Sequence, residues 1–286
     1  MSEAPRGNAC LAEAWAAIGE GDVPRALRHV AEAYGHIGRW CDGSQRLPIG
    51  WPEADRVIAD AANIVRATRT PPARGGENDA VLFSRWTNFG GHRFAAGDTL
   101  RASPAPNKFA FVIHPGRAGA SAEQMADKLG IPPDCVEIAP AGARDRPWEW
   151  LPERLAARGC ARLFVVHETY RPGVLVAAIA SSCAGIYLLH HIDSKPCSGL
   201  YLPGITVVEL TPFCYHYSRL HLGIHPIYLP LISEPPPGER PSFMADGELR
   251  TATCGREEKF EADKGFPYAA IVAERLRRFA GRHVHI

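Results

Sequence analysis

From residue 79 to residue 232, short β-branched runs alternate with stretches of helical spacing, and this alternation limits the possible folds more than any other feature of the chain. Strands separated by helical crossovers pair in parallel, because the chain must travel back along the sheet before starting the next strand. The runs are Val81 to Ser84, Lys108 to His114, Cys135 to Ala139, Arg162 to His167, Gly185 to His190, Ile205 to Leu210 and Pro226 to Leu229. Between the second and third, Ser121 and Gln124 have the spacing of a capping box and Gly130 closes the helix. Trp148, Leu151 and Leu155 share one face of a further helix that ends at Gly159, and Gly173 to Cys183 is apolar enough to be buried. The expectation is an α/β fold with a doubly wound parallel sheet of about 150 residues.

The flanks have a different texture. Residues 9 to 37 carry two helical patterns parted by Gly19, Glu20, Gly21 and Asp22, with Pro24 suited to a first helical turn. This predicts a helical hairpin packed on the next domain. Its Gly-Asp turn and Ala26-Leu27 resemble one tetratricopeptide unit, but no second copy follows, and a solenoid needs several. Another helix is expected from Trp51 or Pro52 to Ala67. Paired prolines and glycines then make residues 68 to 79 a linker. A second proline-rich connector covers residues 233 to 247. Beyond it come a strand at Leu249 to Cys254, a turn, a helix through Tyr268, Ile271, Val272, Leu276 and Phe279, and a strand at His283 to Ile286. One βαβ unit cannot bury both faces of its sheet, so this second domain is expected to be incomplete.

With 32 basic and 31 acidic residues there is no global footprint for nucleic acid, and 46% apolar with 22% charged residues is the balance of an ordinary globular protein. The eight cysteines contain no C-x-x-C pair, which argues against a zinc ribbon. The first residues lack a basic start and an apolar stretch, and no run is long enough to span a bilayer, so a cytoplasmic location without a transmembrane segment is expected. The N-terminal helices offer a surface for a protein partner.

After the connector, the chain reads Gly255-Arg256, then Lys264-Gly265-Phe266, then a helix leading to Gly281-Arg282-His283-Val284-His285-Ile286. This resembles the opening of the nucleotide-sugar domain of GT-B glycosyltransferases of the bacterial group 1, family 4-like type. The helical spacing gives a helical region over 1–70, and the resemblance implies a Rossmann-like acceptor-side domain over 79–232, a linker over 233–247 and the start of a donor domain over 248–286. It also implies that Arg256 and Lys264 contact the donor diphosphate, whose developing charge fixed cations stabilise. Seven residues separate them, more than is usual in the family, and Lys259 competes for the second role. The alternative is that both lysines are solvated turn residues. No cofactor is implied beyond the nucleotide-sugar, which is a substrate.

Three groups in the first domain could complete a site. The loop after the first strand, residues 84 to 98, holds Asn88, Gly90 and Gly91, where backbone could approach a substrate closely or simply make a tight turn. His190, His191 and Asp193 leave the carboxyl end of a strand, the edge where doubly wound sheets bind ligands. Their order resembles an H-H-x-D loop of some bacterial glycosyltransferases, implying His191 or Asp193 as general base. A core histidine and a turn-capping aspartate would look the same. His216, Arg219, His221 and His225 show no metal-ligand spacing, so no metal is expected, and Thr211 with Pro212 reads as a helix start. The expected function is transfer of a sugar from a nucleotide-sugar to a saccharide, lipid-linked or protein acceptor in bacterial surface glycan synthesis. Alternatives are a non-catalytic remnant or interaction module, another Rossmann-like enzyme such as an epimerase or nucleotide-binding oxidoreductase, and a metal-dependent hydrolase.

Overall fold

The structure is a computed structural model, and it describes residues 3–41, 50–69, 76–87, 91–116, 119–167, 170–190, 196–230, 244–245, 248–251, 274, 277 and 282–285. The chain divides into two compact units, Met1–Arg39 with Leu47–Ile232, and Trp40–Arg46 with Ser233–Ile286.

The first unit is built on seven strands: β1 (Asn78–Arg85), β2 (Lys108–His114), β3 (Val136–Ile138), β4 (Cys160–Val166), β5 (Gly185–His190), β6 (Ile205–Glu209) and β7 (Ile227–Tyr228). All pair in parallel, in the order β3-β2-β1-β4-β5-β6-β7. This is the Rossmann-like doubly wound architecture expected from the alternation. The order reverses between β1 and β4, and a crevice opens at such a switch point beyond the carboxyl ends of the strands.

Side chains alternate across each strand, so the sheet feeds two cores. Ala80 and Leu82 of β1, with Phe109 and Phe111 of β2, face one layer; Val81, Phe83, Ala110 and Val112 face the other. Burial on both faces explains why these strands read as continuous apolar runs. The first layer holds α1 (Glu3–Gly19), α2 (Val23–Cys41), α3 (Pro52–Ala67), α6 (Leu151–Ala157) and α7 (Gly173–Ile179). The second holds α4 (Gly91–Ala102) and α5 (Ala122–Leu129). The helical residues before β1 therefore share a core with the sheet.

Local chemistry explains the boundaries. Pro52 opens α3, and Val57, Ile58 and Val65 are buried on one face, each contributing about 1.5–3 kcal/mol relative to exposure. Ile58→Ala should cost about 2–5 kcal/mol. Ser121 and Gln124 form the capping box of α5, and Gly130 ends it at φ 70°, a left-handed conformation that a Cβ would strain. Thr211 caps α8 (Pro212–His221) by accepting from the Cys214 amide.

Two expectations are corrected. Residues 91–102, read as part of a loop, form α4, because Ala95, Ala96 and Leu100 bury one helical face and outweigh the Gly90-Gly91 signal. Residues 244 and 245, read as connector, form β8 (Met244–Ala245), antiparallel to β9 (Glu248–Thr251). In the second unit β9 also pairs in parallel with β10 (Arg282–His285). The expected helix between β9 and β10 lies largely outside the described residues.

Candidate functional site

The carboxyl edge of the first unit's sheet carries two polar groupings. The first begins at His190, which ends β5 and stands in register opposite Glu209, the last residue of β6. The register puts both side chains on one face, and His190 Nδ1 lies 2.9 Å from Glu209 Oε2 with both side chains fully buried. The Ser218 hydroxyl of α8 donates to the other Glu209 oxygen. Among the described residues no conventional N or O partner meets His190 Nε2, and the Cys197 thiol acts on the ring. Burial disfavours a charged imidazole, but Cys197 and Glu209 outweigh it and hold the His190 pKa well above the ordinary range. The result is a buried ion pair, costly to desolvate and costlier to break.

The chain after β5 returns across this cluster and is fastened from several sides. Asp55 of α3 accepts from the Gly199 amide at 2.7 Å and the Tyr201 amide at 2.9 Å. The Tyr34 hydroxyl of α2 lies 3.5 Å from the same carboxyl. Burial pushes the Asp55 pKa up to about 7, against the pull of those amides and of Tyr34. Ser198 Oγ pairs with His167 Nε2 at 2.7 Å, just beyond β4. Residues 196–201 are thus a fixed strap.

The second grouping lies where α2 meets the segments after β2, β3 and β4. A cavity of about 390 Å³ there is lined by Arg28, His114, Arg144, Asp145, Arg146 and Arg171, with Pro147, Trp148 and Val174 among its apolar walls. Arg171 Nη1 donates to His114 Nε2, and Arg144 Nε donates to the Ala139 carbonyl at 3.3 Å. Burial first, and then Arg171 and Arg144, lower the His114 pKa to about 4, so this ring is neutral at physiological pH.

Of the residues singled out from the sequence, His190 lies in the first grouping. Gly91 opens α4. His191, Asp193, Asn88, Gly90, Arg256, Lys259 and Lys264 lie outside the described residues. His216, Arg219, His221 and His225 are exposed on or just after α8, where Arg219 covers the Tyr215 ring. His190, Glu209 and Cys214 bring three possible metal-ligand atoms within 4.8 Å of one another. The Glu209 carboxylate is already satisfied there by His190 and Ser218. Sequence reasoning missed Glu209, Asp55 and the arginines, although His114 and Glu209 carry the same mark that drew attention to His190, a polar residue closing an apolar strand.

The amino edge has a contrasting pair. Arg162 and Asp79, also opposite one another in the sheet register, make a two-pronged ion pair at 2.7 and 2.8 Å. It fixes β4 on β1, far along the strands from the switch-point crevice.

No family model and no curated protein sequence matches the chain. Among solved structures it is similar to an O-GlcNAc transferase point mutant from Thermobaculum terrenum, at 12% identity and a TM-score of 0.46 over 98% of the chain. The chain spans 55% of that protein's length. Among the described residues no helix is long and apolar enough to cross a membrane.

Proposed function

We propose that the protein is a nucleotide-sugar-dependent glycosyltransferase whose first unit handles the acceptor. The observation that carries this reading is the polar carboxyl edge of a 3-2-1-4-5-6-7 parallel sheet, followed in sequence by Gly255-Arg256 and Lys264-Gly265-Phe266. In the reaction, an acceptor hydroxyl oxygen forms a bond to the anomeric carbon as the bond to the nucleoside diphosphate breaks. Arg256 and Lys264, with Lys259 as the competing lysine, neutralise the charge growing on the leaving diphosphate. His191 or Asp193 takes the hydroxyl proton. His190 is a positioning residue: locked to Glu209, it anchors the chain from which His191 and Asp193 depart. Asn88, Gly90 and Gly91 supply polar and backbone contacts to substrate.

The test is a thermal-shift and calorimetric titration with uridine and guanosine diphosphates, paired with a nucleoside-diphosphate release assay over a panel of nucleotide-sugars. One nucleotide should raise the melting temperature of the native protein and not of Arg256→Ala. Absence of any nucleotide shift together with absence of release would overturn the reading and favour a non-catalytic module.

A further inference from the structure

The cluster at the ends of β5 and β6 holds more than an ion pair. His190, Glu209 and Cys214 each offer one ligand atom, and these three atoms lie within 4.8 Å of one another with all three residues buried. Separate elements deliver them. His190 and Glu209 stand opposite each other in the β5–β6 register, while Cys214 sits in the first turn of α8, where its amide donates to the Thr211 hydroxyl at 3.2 Å. Strand pairing and a helix cap therefore fix the donors without relying on an irregular loop.

The contacts around the donors fit a metal ligand set. Ser218, one helical turn after Cys214, donates its hydroxyl to the second Glu209 oxygen, the kind of outer contact that orients a carboxylate bound through its other oxygen. His190 Nε2 is buried and meets no conventional N or O partner among the described residues, so the ring is not fully accounted for by Glu209. The Cys197 thiol acts on that ring and brings a second sulfur to the cluster.

The donor types choose among metals. Calcium and magnesium take sets of oxygen ligands, whereas one imidazole, one carboxylate and one thiolate suit zinc or a similar borderline divalent ion. Tetrahedral bonds of about 2.0–2.3 Å place ligand atoms roughly 3.4–3.6 Å apart, within about an ångström or so of the separations bounded here.

We propose that His190, Glu209 and Cys214 bind a zinc-class divalent transition metal that staples β5, β6 and α8 together. On binding, the metal replaces the proton held between His190 and Glu209 and the proton of the Cys214 thiol, and both pass to solvent. The proposal is independent of sugar transfer, since nucleotide binding and metal binding are read separately.

The test uses the full chain, stripped with a chelator and titrated with zinc by calorimetry and with cobalt by absorption. Zinc should bind stoichiometrically and raise the melting temperature, and cobalt should give the visible bands of a tetrahedral site with a sulfur-to-cobalt charge-transfer band. Loss of an outer contact costs about 10–100-fold in metal affinity, so Ser218→Ala should weaken binding by about tenfold and Cys214→Ala or Glu209→Gln by about 100-fold or more. Cys214→Ala should also abolish or strongly reduce the charge-transfer band. Cys183→Ala, at the opposite end of β5, should change neither. Cys214→Ala removes only a small side chain and keeps the test decisive if Glu209→Gln fails to fold. Absence of stoichiometric zinc binding by the folded native chain would overturn the proposal. So would affinity and charge transfer left intact in Cys214→Ala, which would put the metal elsewhere on the chain.

Discussion

Two histidines close apolar strands at the same edge of the sheet, and their surroundings shift their protonation in opposite directions. His190 ends β5 opposite a buried carboxylate and is held in its cationic form. His114 ends β2 beside Arg171 and Arg144 and is held neutral. Both lose solvation, which disfavours the cation in each. What differs is the partner, and the partner decides: a carboxylate outweighs desolvation, whereas guanidinium groups add to it. At one end of the edge a buried carboxylate stabilises the imidazolium, while at the other burial and neighbouring guanidinium groups keep the ring neutral.

The largest effect should come from breaking the His190 end. Glu209→Leu leaves a buried imidazole without its counter-charge, and should lower the unfolding free energy by about 3–5 kcal/mol in urea titration. The double variant His190→Leu with Glu209→Leu should recover much of that loss. If the single variant is as stable as the native protein, His190 is not held as an ion pair and the contrast between the histidines fails.

Next in size is the strap. Asp55→Ala removes the acceptor of two amides and should cost about 2–6 kcal/mol, given about 1–3 kcal/mol for each buried unsatisfied donor. Hydrogen exchange at the Gly199 and Tyr201 amides should quicken more than at the amides of β2. Uniform quickening would mean that Asp55 supports the whole unit and not the strap in particular.

A smaller, pH-dependent effect distinguishes the His114 end. The folded His114 ring resists protonation down to about pH 4, whereas in the unfolded chain it takes a proton near the ordinary value of about 6.5. Between these values the unfolded state binds more protons, so this residue makes stability fall as pH falls. His114→Gln removes that contribution, and any advantage of the native protein over the variant should shrink as pH is lowered from 7 to 4. An advantage that grew over this window would reverse the sign assigned to the site. The smallest effect is expected for Arg28→Ala, whose exposed side chain should leave the melting temperature unchanged. A drop in melting temperature would make Arg28 a structural residue of α2.

Much of the fold was legible because the strands are punctuated. Lys108 and His114 bracket β2, Gly185 and His190 bracket β5, and the expected limits agree with those observed because polar or flexible residues flank runs buried on both faces. Helix α3 was legible through Pro52 and its 3.6-residue period. Helix α4 was not: among its described residues the buried apolar side chains are Ala95, Ala96 and Leu100, it carries Gly97 inside it, and it leaves Phe94 exposed, so its periodicity is faint. In the candidate site, His190 could be found as a strand's polar end, while its partner could not, because Glu209 lies 19 residues away and meets it through the β5–β6 register.

Sequence by itself therefore determined the parallel α/β architecture, since burial periods of two and 3.6 are local properties that each segment expresses without its neighbours. Tertiary structure decided the charge of each edge histidine and the gathering of Arg28, Arg144 and Arg171 around one cavity. Desolvation and Coulomb interaction depend on distances between side chains far apart in sequence, and those distances exist only once the sheet has set its strand order.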